Sequence, residues 1–338
     1  MKILFLCGSL APGKDGVGDY SLRLGGRLAD KGHEVAYLAL NDRHLRDSGP
    51  WRDERSLRLP ASMAWSARER AASDWVSRQA PDVLSLQYVP YAFHPNGIPR
   101  NLPAFLKRLP PETGTHIFFH EVAIGDSTEW GLKGILVGRL QKAIARALVG
   151  AFKPSAVHTS NPAHREQLRR IGIQAEILPL FRNFPVGPAP ETGARGDVLA
   201  RAGIPDPADD FLLLVSIGSI HPGTPVADWK RALESIRKAS GKPLVLVLLG
   251  STGSAGERLA EPDRDGAARG IMIHRTGWLP TDAIAALLQV ADLAVTTHPR
   301  ALLGKSGTVA ACREAGVPVL YFREDWKFRR GPTPVDAD

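Results

Sequence analysis

Short apolar runs alternate along the chain with longer segments of helical period. Apolar runs with few polar residues are typical of strands that are buried on both faces of a parallel sheet. In the first half these runs predict strands at 3–8, 34–40, 82–88, 116–121, 156–160 and 175–180. Amphipathic segments fit between several of them, so the pattern predicts parallel β-α-β units.

The pattern stops at the Pro- and Gly-rich segment 181–196 and then starts again. The second series predicts strands at 211–219, 243–251, 271–277, 292–298 and 318–322, with helices at 226–240, 281–290 and 306–315. We therefore predict an α/β protein with a doubly wound domain at 1–181, a linker at 182–197 and a second doubly wound domain at 198–338. Open α/β sheets bind ligands at the carboxyl ends of their strands, so we expect a site in a cleft between the domains.

Two helices and one loop in the first half are predicted from local signals. Asp19 can cap a helix that runs to Lys31, with Gly32 as its stop. Segment 139–152 is periodic and contains no proline, which predicts a second helix. Segment 42–59 carries many charges of both signs and is predicted to be a loop near an acceptor.

The composition indicates a reduced, cytoplasmic protein. The chain has 338 residues but only two cysteines, Cys7 and Cys312, which argues against a disulfide framework. The first apolar run is about six residues, too short for a signal peptide or a membrane span. A net charge of +8 favours contact with phosphates, anionic lipid or nucleic acid. We find no zinc knuckle, RNP strand or basic recognition helix, so nucleic acid is not a predicted partner.

The loop after the first strand has the spacing of a Walker A motif through Gly8, Gly13 and Lys14, but Asp15 stands where a hydroxyl should bind magnesium. Glycines 16 and 18 would weaken a helix that began at Lys14 by about 1 kcal/mol each. We therefore predict that the helix starts at Asp19 and that residues 16–18 approach its amino end, where an anion is favoured. A phosphate-loop NTPase and a plain strand-to-helix turn remain alternatives.

A second near-match to the same motif lies in the other half, at 299–308. Pro299 occupies its first glycine position, so the full signature fails. Lys305 and the N–H groups of Ser306, Gly307 and Thr308 would still offer positive charge at a helix start. One such start in each domain suits a diphosphate held between the domains.

Several polar and aromatic residues have both a functional and a structural interpretation. The histidines are scattered without metal-ligand spacing, so no metal site is predicted. Tyr88 and Tyr91 either stack on an acceptor sugar or belong to the core. Glu121 either orients the acceptor or caps a helix. The helix at 138–153 has a basic side and an apolar side, which suit either an anionic membrane or an ordinary core contact.

The order of motifs resembles the retaining GT-B glycosyltransferases of family 4, the group 1 glycosyl transferases. The resemblance covers residues 1 to about 322. It rests on "GVGDYSLRLGGRLADKGHEV" and "IFFHEV" in the first half, and on "LLGSTG", "TGWLPTDAIAALLQVADLAVTTH" and "GKSGTVAACREAGVPVL" in the second. Each motif alone is weak, whereas their order across both domains is specific.

This resemblance implies transfer of a sugar from a nucleotide-diphosphate sugar to a hydroxyl acceptor with retention, in polysaccharide or glycoconjugate synthesis. It implies no cofactor and no metal. The partners would be the nucleotide sugar and a glycan or lipid-linked acceptor, and the basic side of the helix at 138–153 predicts a peripheral contact with the inner face of the membrane. His120 would lie at the reacting sugar as the catalytic residue. The donor diphosphate would contact Gly16, Val17, Gly18, Ser219, Lys305, Ser306, Gly307 and Thr308, and the nucleobase or ribose would contact Gly250, Thr276, Gly277, Trp278 and Glu314.

The sequence also departs from the family pattern. Ser219 and Thr224 stand where the family usually has an arginine and a lysine, and Leu303 and Ala311 stand where it usually has two glutamates. Glu314 is the only acidic residue nearby, and the family usually continues through further elements after this point. A binding or partner module that has lost turnover is therefore the alternative to an active enzyme.

Overall fold

The computed structural model describes residues 1–45, 51–109, 114–182, 195–204, 210–220, 225–261, 270–323 and 325–335. The chain divides into two compact units: unit 1 is Met1–Pro179 with Trp326–Asp338, and unit 2 is Leu180–Asp325. Each has a sheet of mainly parallel strands flanked by helices. The predicted class, α/β with two Rossmann-like domains, is confirmed. Most of the predicted linker lies outside the described residues.

Unit 1 contains eight described strands in the order β3-β4-β2-β1-β5-β6-β7-β8. Neighbours pair in parallel except β3 with β4. The strands are β1 (Lys2–Cys7), β2 (Glu34–Asp42), β3 (Trp51–Arg52), β4 (Ser56–Pro60), β5 (Val83–Tyr88), β6 (Gly114–Phe119), β7 (Ala156–Thr159) and β8 (Glu176–Ile177). The helices are α1 (Gly16–Ala29), α2 (Trp65–Gln79), α3 (Pro90–Phe93), α4 (Leu102–Lys107), α5 (Leu132–Phe152) and α6 (Pro162–Arg170).

The core of unit 1 explains why its central strands are almost wholly apolar. In β1 five consecutive residues are buried because helices cover both faces of the sheet. Ile3 lies opposite Val35 on one side and Val83 on the other. This order places the carboxyl ends of β1, β5 and β6 side by side, where the segments that follow them can form one site.

Three details of unit 1 differ from the sequence predictions. Helix α1 begins at Gly16, so Asp15 and not Asp19 is its N-cap. Segment 42–59 contains β3 and β4 instead of a continuous loop. The helix predicted at 139–152 begins earlier, at Leu132.

Unit 2 contains five described strands, all parallel, in the order β11-β10-β9-β12-β13. They are β9 (Leu212–Ile217), β10 (Leu244–Leu249), β11 (Ile271–Gly277), β12 (Leu293–Thr296) and β13 (Val319–Tyr321). The described helices are α7 (Arg195–Arg201), α8 (Val226–Ser240), α9 (Gly253–Ala260), α10 (Thr281–Val290) and α11 (Gly307–Glu314), with a 3₁₀ turn at Arg300–Lys305. β10 is buried at all six positions, as expected for an inner strand.

The tail from Trp326 belongs to unit 1, although the sequence pattern assigns it to the second domain. Its backbone pairs with the segment before α5: Thr128 N–H donates to the Lys327 carbonyl at 2.9 Å, and Arg329 N–H donates to the Asp126 carbonyl at 2.8 Å. The Phe328 ring lies 4.3 Å from the Arg170 guanidinium. Unit 1 is therefore built from two separate parts of the chain.

Candidate functional site

The loop after β1 is held by a buried carboxylate. Asp42, at the end of β2, accepts hydrogen bonds from the Ser9 hydroxyl at 3.0 Å and the Leu10 amide at 3.2 Å. It also accepts from the His44 amide at 3.0 Å and forms an ion pair with Arg58 of β4 at 2.7 Å. Burial works to raise the pKa of Asp42, but hydrogen bonds from Arg58 and from the His44 and Leu10 amides outweigh it and lower that pKa. Asp42 is therefore ionised and fixes the loop.

Two more carboxylates close the loop onto helix α1. Asp15 Oδ1 accepts from the amides of Val17 at 3.0 Å and Gly18 at 2.9 Å. Asp19 accepts from the amide of Gly13 at 3.0 Å, and burial raises its pKa. Two of the N–H groups predicted to meet a diphosphate therefore donate to Asp15. An anion at this helix end would have to displace that carboxylate.

The Walker A interpretation gains no support from this geometry. Gly13 has a φ of +67°, which glycine adopts without strain, and Lys14 N–H closes a turn onto the Ala11 carbonyl. Asp15 stands at the magnesium-binding position as a helix cap. A phosphate-loop NTPase needs a hydroxyl there.

His120 follows β6 directly, is buried and packs between aromatic rings. Its ring stacks on Phe118 at 4.3 Å and meets the edge of Tyr20 of α1 at 5.0 Å. Its Nε2 lies 2.9 Å from Gln87 Oε1. Burial lowers the pKa of His120 to about 3. The imidazole is therefore neutral at physiological pH and can act as a hydrogen-bonding group.

The contact with Gln87 is one end of a polar chain across the sheet. Gln87 Nε2 donates to Ser85 Oγ at 2.7 Å, and Ser85 Oγ lies 2.7 Å from His116 Nδ1. His116 Nε2 lies 3.0 Å from His158 Nδ1. Burial, with a smaller contribution from His158, lowers the pKa of His116 to about 4. We refer to His120, Gln87, Ser85, His116 and His158 as the polar chain.

Sequence reasoning missed Gln87 and Ser85, although β5 carries a signal for them. Two polar residues two positions apart in an apolar strand share one face, and Ser85 lies opposite His116 in the register.

The predicted acceptor residues have different environments. Tyr88 is fully buried, stacks on Phe93 at 6.0 Å and meets the edge of Phe119 at 5.4 Å. The prediction that Tyr88 stacks on an acceptor sugar is wrong, because neither face of its ring is exposed. Tyr88 is a core residue. Tyr91 is partly exposed, and its carbonyl accepts from Arg43. Glu121 is partly buried beside His120.

In unit 2 the predicted base-side residues follow adjacent strand ends. Ser219 comes after β9, Gly250 after β10 and Trp278 after β11. Gly250 N–H donates to the Gly277 carbonyl at 2.8 Å, and the Thr276 hydroxyl donates to the same oxygen at 3.0 Å. Trp278 is 81% exposed. This edge therefore offers a free aromatic face beside backbone polar groups.

The "GKSGT" segment forms the junction between the 3₁₀ turn and α11. Ser306 caps α11 by accepting from the Val309 amide at 3.3 Å, and its hydroxyl lies 2.8 Å from that of Thr308. Lys305 and Gly307 are partly exposed at this helix start. The predicted helix at 306–315 is confirmed to within one residue at each end.

The positions of the family's usual glutamates are in the core. Leu303 and Ala311 are buried, and Ala311 packs in the main apolar cluster of unit 2. Glu314 is exposed, and it accepts from the Arg182 amide at 2.8 Å while its other oxygen lies 3.3 Å from the Arg182 guanidinium. Glu314 is thus engaged by the chain itself.

Among the described residues, no group of three or more His, Cys, Asp or Glu side chains could hold a metal ion. In the same part of the chain, no helix is both long and apolar enough to cross a membrane. Metal-independent chemistry and the absence of a cofactor stay predictions.

Comparison with known proteins gives matches only among solved structures. No family model matches the chain, and neither does any curated protein. The catalytic domain of starch synthase IV from Arabidopsis thaliana, bound to ADP and acarbose, matches with a TM-score of 0.57 at 11% identity, covering 95% of this chain and 82% of that one.

Two further solved glycosyltransferase structures match the chain with similar scores. The lipopolysaccharide outer core galactosyltransferase WaaB has a TM-score of 0.55 at 14% identity, with 95% and 80% of the two chains covered. An alpha-glucosyltransferase in complex with UDP and a DNA has a TM-score of 0.51 at 13% identity, with 99% and 83% covered. At this level of identity the likeness establishes the fold: this chain has the two-domain GT-B fold of these glycosyltransferases.

Proposed function

We propose that the chain is a glycosyltransferase that moves a sugar from a nucleotide-diphosphate sugar to a hydroxyl acceptor with retention, without a metal, in polysaccharide or glycoconjugate synthesis. The observation that carries this proposal is the neutral, buried His120 at the carboxyl edge of the unit 1 sheet, beside the first turns of α1. In open α/β sheets this edge is where ligands bind. The shared GT-B fold supports the same reaction class.

The proposal assigns roles to residues of each unit. His120 contacts the reacting sugar, and Tyr91 and Glu121 face the acceptor. In unit 2, Trp278 stacks on the nucleobase beside Gly250, Thr276 and Gly277. Glu314 contacts the ribose once it leaves Arg182.

The leaving diphosphate meets the start of α11 in this proposal. Negative charge develops on the leaving oxygen as the sugar becomes cation-like, and fixed donors aimed at that oxygen lower the barrier. Lys305, Gly307 and Thr308 supply such donors, and Ser219 adds a hydroxyl. In unit 1, Gly16, Val17 and Gly18 can face a phosphate only if the Asp15 carboxylate turns away.

A non-catalytic binding module is the second candidate, and one observation favours it. Leu303 and Ala311 are buried where the family usually has glutamates, so neither position can contact a donor without repacking. Such a module would bind a glycan or a nucleotide sugar without turnover.

We also propose that unit 1 contacts anionic membrane lipid, through a surface that shares only Arg139 and Leu140 with the predicted helix at 138–153. Ile144 of that helix is buried. Trp130 and three leucines one helical turn apart are exposed instead, Leu132 at 81% and Leu136 at 59%, with Leu140 next. The nearby exposed basic residues are Lys133, Arg139, Arg329 and Arg330. An apolar ridge flanked by cations suits the interface of an anionic bilayer.

A donor panel tests the enzyme proposal. The protein is incubated with nucleotide sugars and glycan, lipid-linked and DNA acceptors, and released nucleoside diphosphate is measured with and without EDTA. We expect EDTA-resistant release that is lost in His120→Ala and retained in His33→Gln, whose histidine precedes β2 at the opposite sheet edge. Binding without release would favour the module, and no binding of any nucleotide sugar would overturn both.

Vesicle sedimentation tests the lipid contact. Phosphatidylglycerol vesicles should bind the protein, and Leu132→Ser with Leu136→Ser should weaken binding about tenfold or more. Leu178→Ser changes an exposed leucine elsewhere in unit 1 and should have no effect. Equal binding by wild type and the double variant would exclude this ridge.

A further inference from the structure

The hydrogen bonds of the polar chain all run in one direction, because some of its atoms can donate a hydrogen bond and others can only accept one. Gln87 Oε1 can only accept, so the contact with His120 requires a proton on His120 Nε2. Gln87 Nε2 donates to Ser85, which leaves the serine proton for His116 Nδ1. His116 then carries its proton on Nε2 and donates to His158 Nδ1.

The far end of the polar chain favours this direction over its reverse. With Nδ1 accepting, neutral His158 carries its proton on Nε2, which lies 3.9 Å from a carboxylate oxygen of Glu176. If Gln87 were turned over, every donor would reverse and a lone pair of His158 would face that carboxylate. The repulsion between that lone pair and the carboxylate favours the forward direction, although only modestly because the Glu176 side chain is 89% exposed.

We propose that Gln87, Ser85, His116 and His158 are positioning residues that hold His120 as the neutral tautomer protonated on Nε2, with Nδ1 as the acceptor. The role that this gives to His120 rests on the proposed glycosyl transfer, but the tautomer itself does not. The polar chain transmits orientation and not protons, because the neutral amide of Gln87 does not exchange a proton between its oxygen and its nitrogen at ordinary pH.

The direction of these hydrogen bonds predicts that a substitution at Gln87 changes the tautomer of His116. Gln87→Glu replaces the amide donor with a carboxylate that only accepts. Ser85 must then donate to the new carboxylate, so His116 has to donate to Ser85 from Nδ1. The tautomer of His116 should therefore reverse, although residue 87 does not touch it. A role limited to filling space would leave His116 unchanged.

Nitrogen-15 NMR of the full-length protein at pH 8.5 tests this proposal. In wild type we expect Nε2 protonation of His120 and His116, and a coupling across the hydrogen bond from His116 Nε2 to His158 Nδ1. In Gln87→Glu, with the carboxyl ¹³C shift confirming ionisation, we expect His116 protonated on Nδ1, and the proton of the hydrogen bond between His116 Nε2 and His158 Nδ1 should lie on His158 Nδ1 instead.

Two further variants provide a second test at position 87 and a control at another buried glutamine. Gln87→Met contains no ionisable group and should remove the hydrogen-bonded Nε2–H signal of His120. Gln141→Leu changes another fully buried glutamine and should leave both tautomers as in wild type. A His116 proton on Nδ1 in wild type, or an unchanged His120 signal in folded Gln87→Met, would overturn the proposal. None of these results depends on turnover, so failure of the donor panel is distinguishable from failure here.

Discussion

The carboxylate of Asp15 accepts a hydrogen bond from the amide of Gly18 at 2.9 Å, at the helix end where the sequence predicts a phosphate. A fixed negative charge thus occupies the position that an anionic ligand would take. The same side chain stabilises α1 by capping it. Capping and anion binding therefore compete at one set of donors.

Asp15→Asn should separate these two effects. Asparagine caps helices as well as aspartate but carries no charge, so stability should change little while a nucleoside diphosphate binds more tightly. Asp15→Ala should lose about 1 kcal/mol of unfolding free energy. Urea denaturation and titration calorimetry with UDP and ADP measure both quantities. Unchanged diphosphate affinity in Asp15→Asn would show that this helix end does not meet the ligand.

Breaking the buried ion pair of Asp42 and Arg58 should be costly. Asp42→Ala leaves the Arg58 guanidinium, which is only 15% exposed, without its carboxylate. We expect a loss of about 3 kcal/mol in urea denaturation. Arg169→Ala removes an exposed partner of Glu166 and should cost much less than Asp42→Ala. Similar losses in the two variants would contradict the role given to Asp42.

Stability should fall as the pH falls below the ordinary histidine range. Burial holds the pKa of His120 near 3 and of His116 near 4, whereas the unfolded chain protonates both near 6.5. Between these values the unfolded state binds more protons, so acid favours unfolding by up to about 1.4 kcal/mol per pH unit for each histidine. The effect fades as the pH rises above 6.5.

Urea denaturation at pH 7, 6 and 5 measures this slope. His120→Phe keeps an aromatic ring between Phe118 and Tyr20 but cannot titrate, so its slope should be smaller than in wild type. An equal slope would mean that His120 is not the group that resists protonation.

Placing an acidic residue at position 311 should destabilise unit 2. Ala311→Glu would bury a carboxylate in the apolar cluster around Leu213 and Val215. We expect a loss of about 3 kcal/mol or more, whereas Arg313→Glu on the exposed side of α11 should cost less than about 1 kcal/mol. A well-folded Ala311→Glu would instead show that this helix can rotate towards a donor.

The alternation of strands and helices could be predicted because it depends on local periodicity. β11 and the helices at 226–240 and 281–290 were predicted at their observed bounds. The start of α1 could not be predicted from propensity. Gly18 lies so close to the loop that an added Cβ would be 2.5 Å from the Ser9 carbonyl oxygen. This tertiary contact outweighs the low helix propensity of glycine.

The polar contacts of the site depend on pairing between distant segments. Asp42 meets Ser9 and Arg58 only through the order of the strands, and His116 meets Ser85 only through the register of β5 and β6. Neither order nor register is encoded by periodicity within one strand. The candidate residues at strand ends were predictable, but the carboxylates and amides that orient them were not.

The tail at Trp326 has a consequence for how the protein is made. Translation delivers residues 1–179 first, yet the backbone partners of Asp126 and Thr128 emerge only after all of unit 2. Domains usually fold in order as they leave the ribosome, whereas unit 1 has to wait for its last piece. We therefore expect that, in a nascent chain stalled before codon 326, proteases cut unit 1 in the segment before α5. The full-length chain should be protected at the same segment.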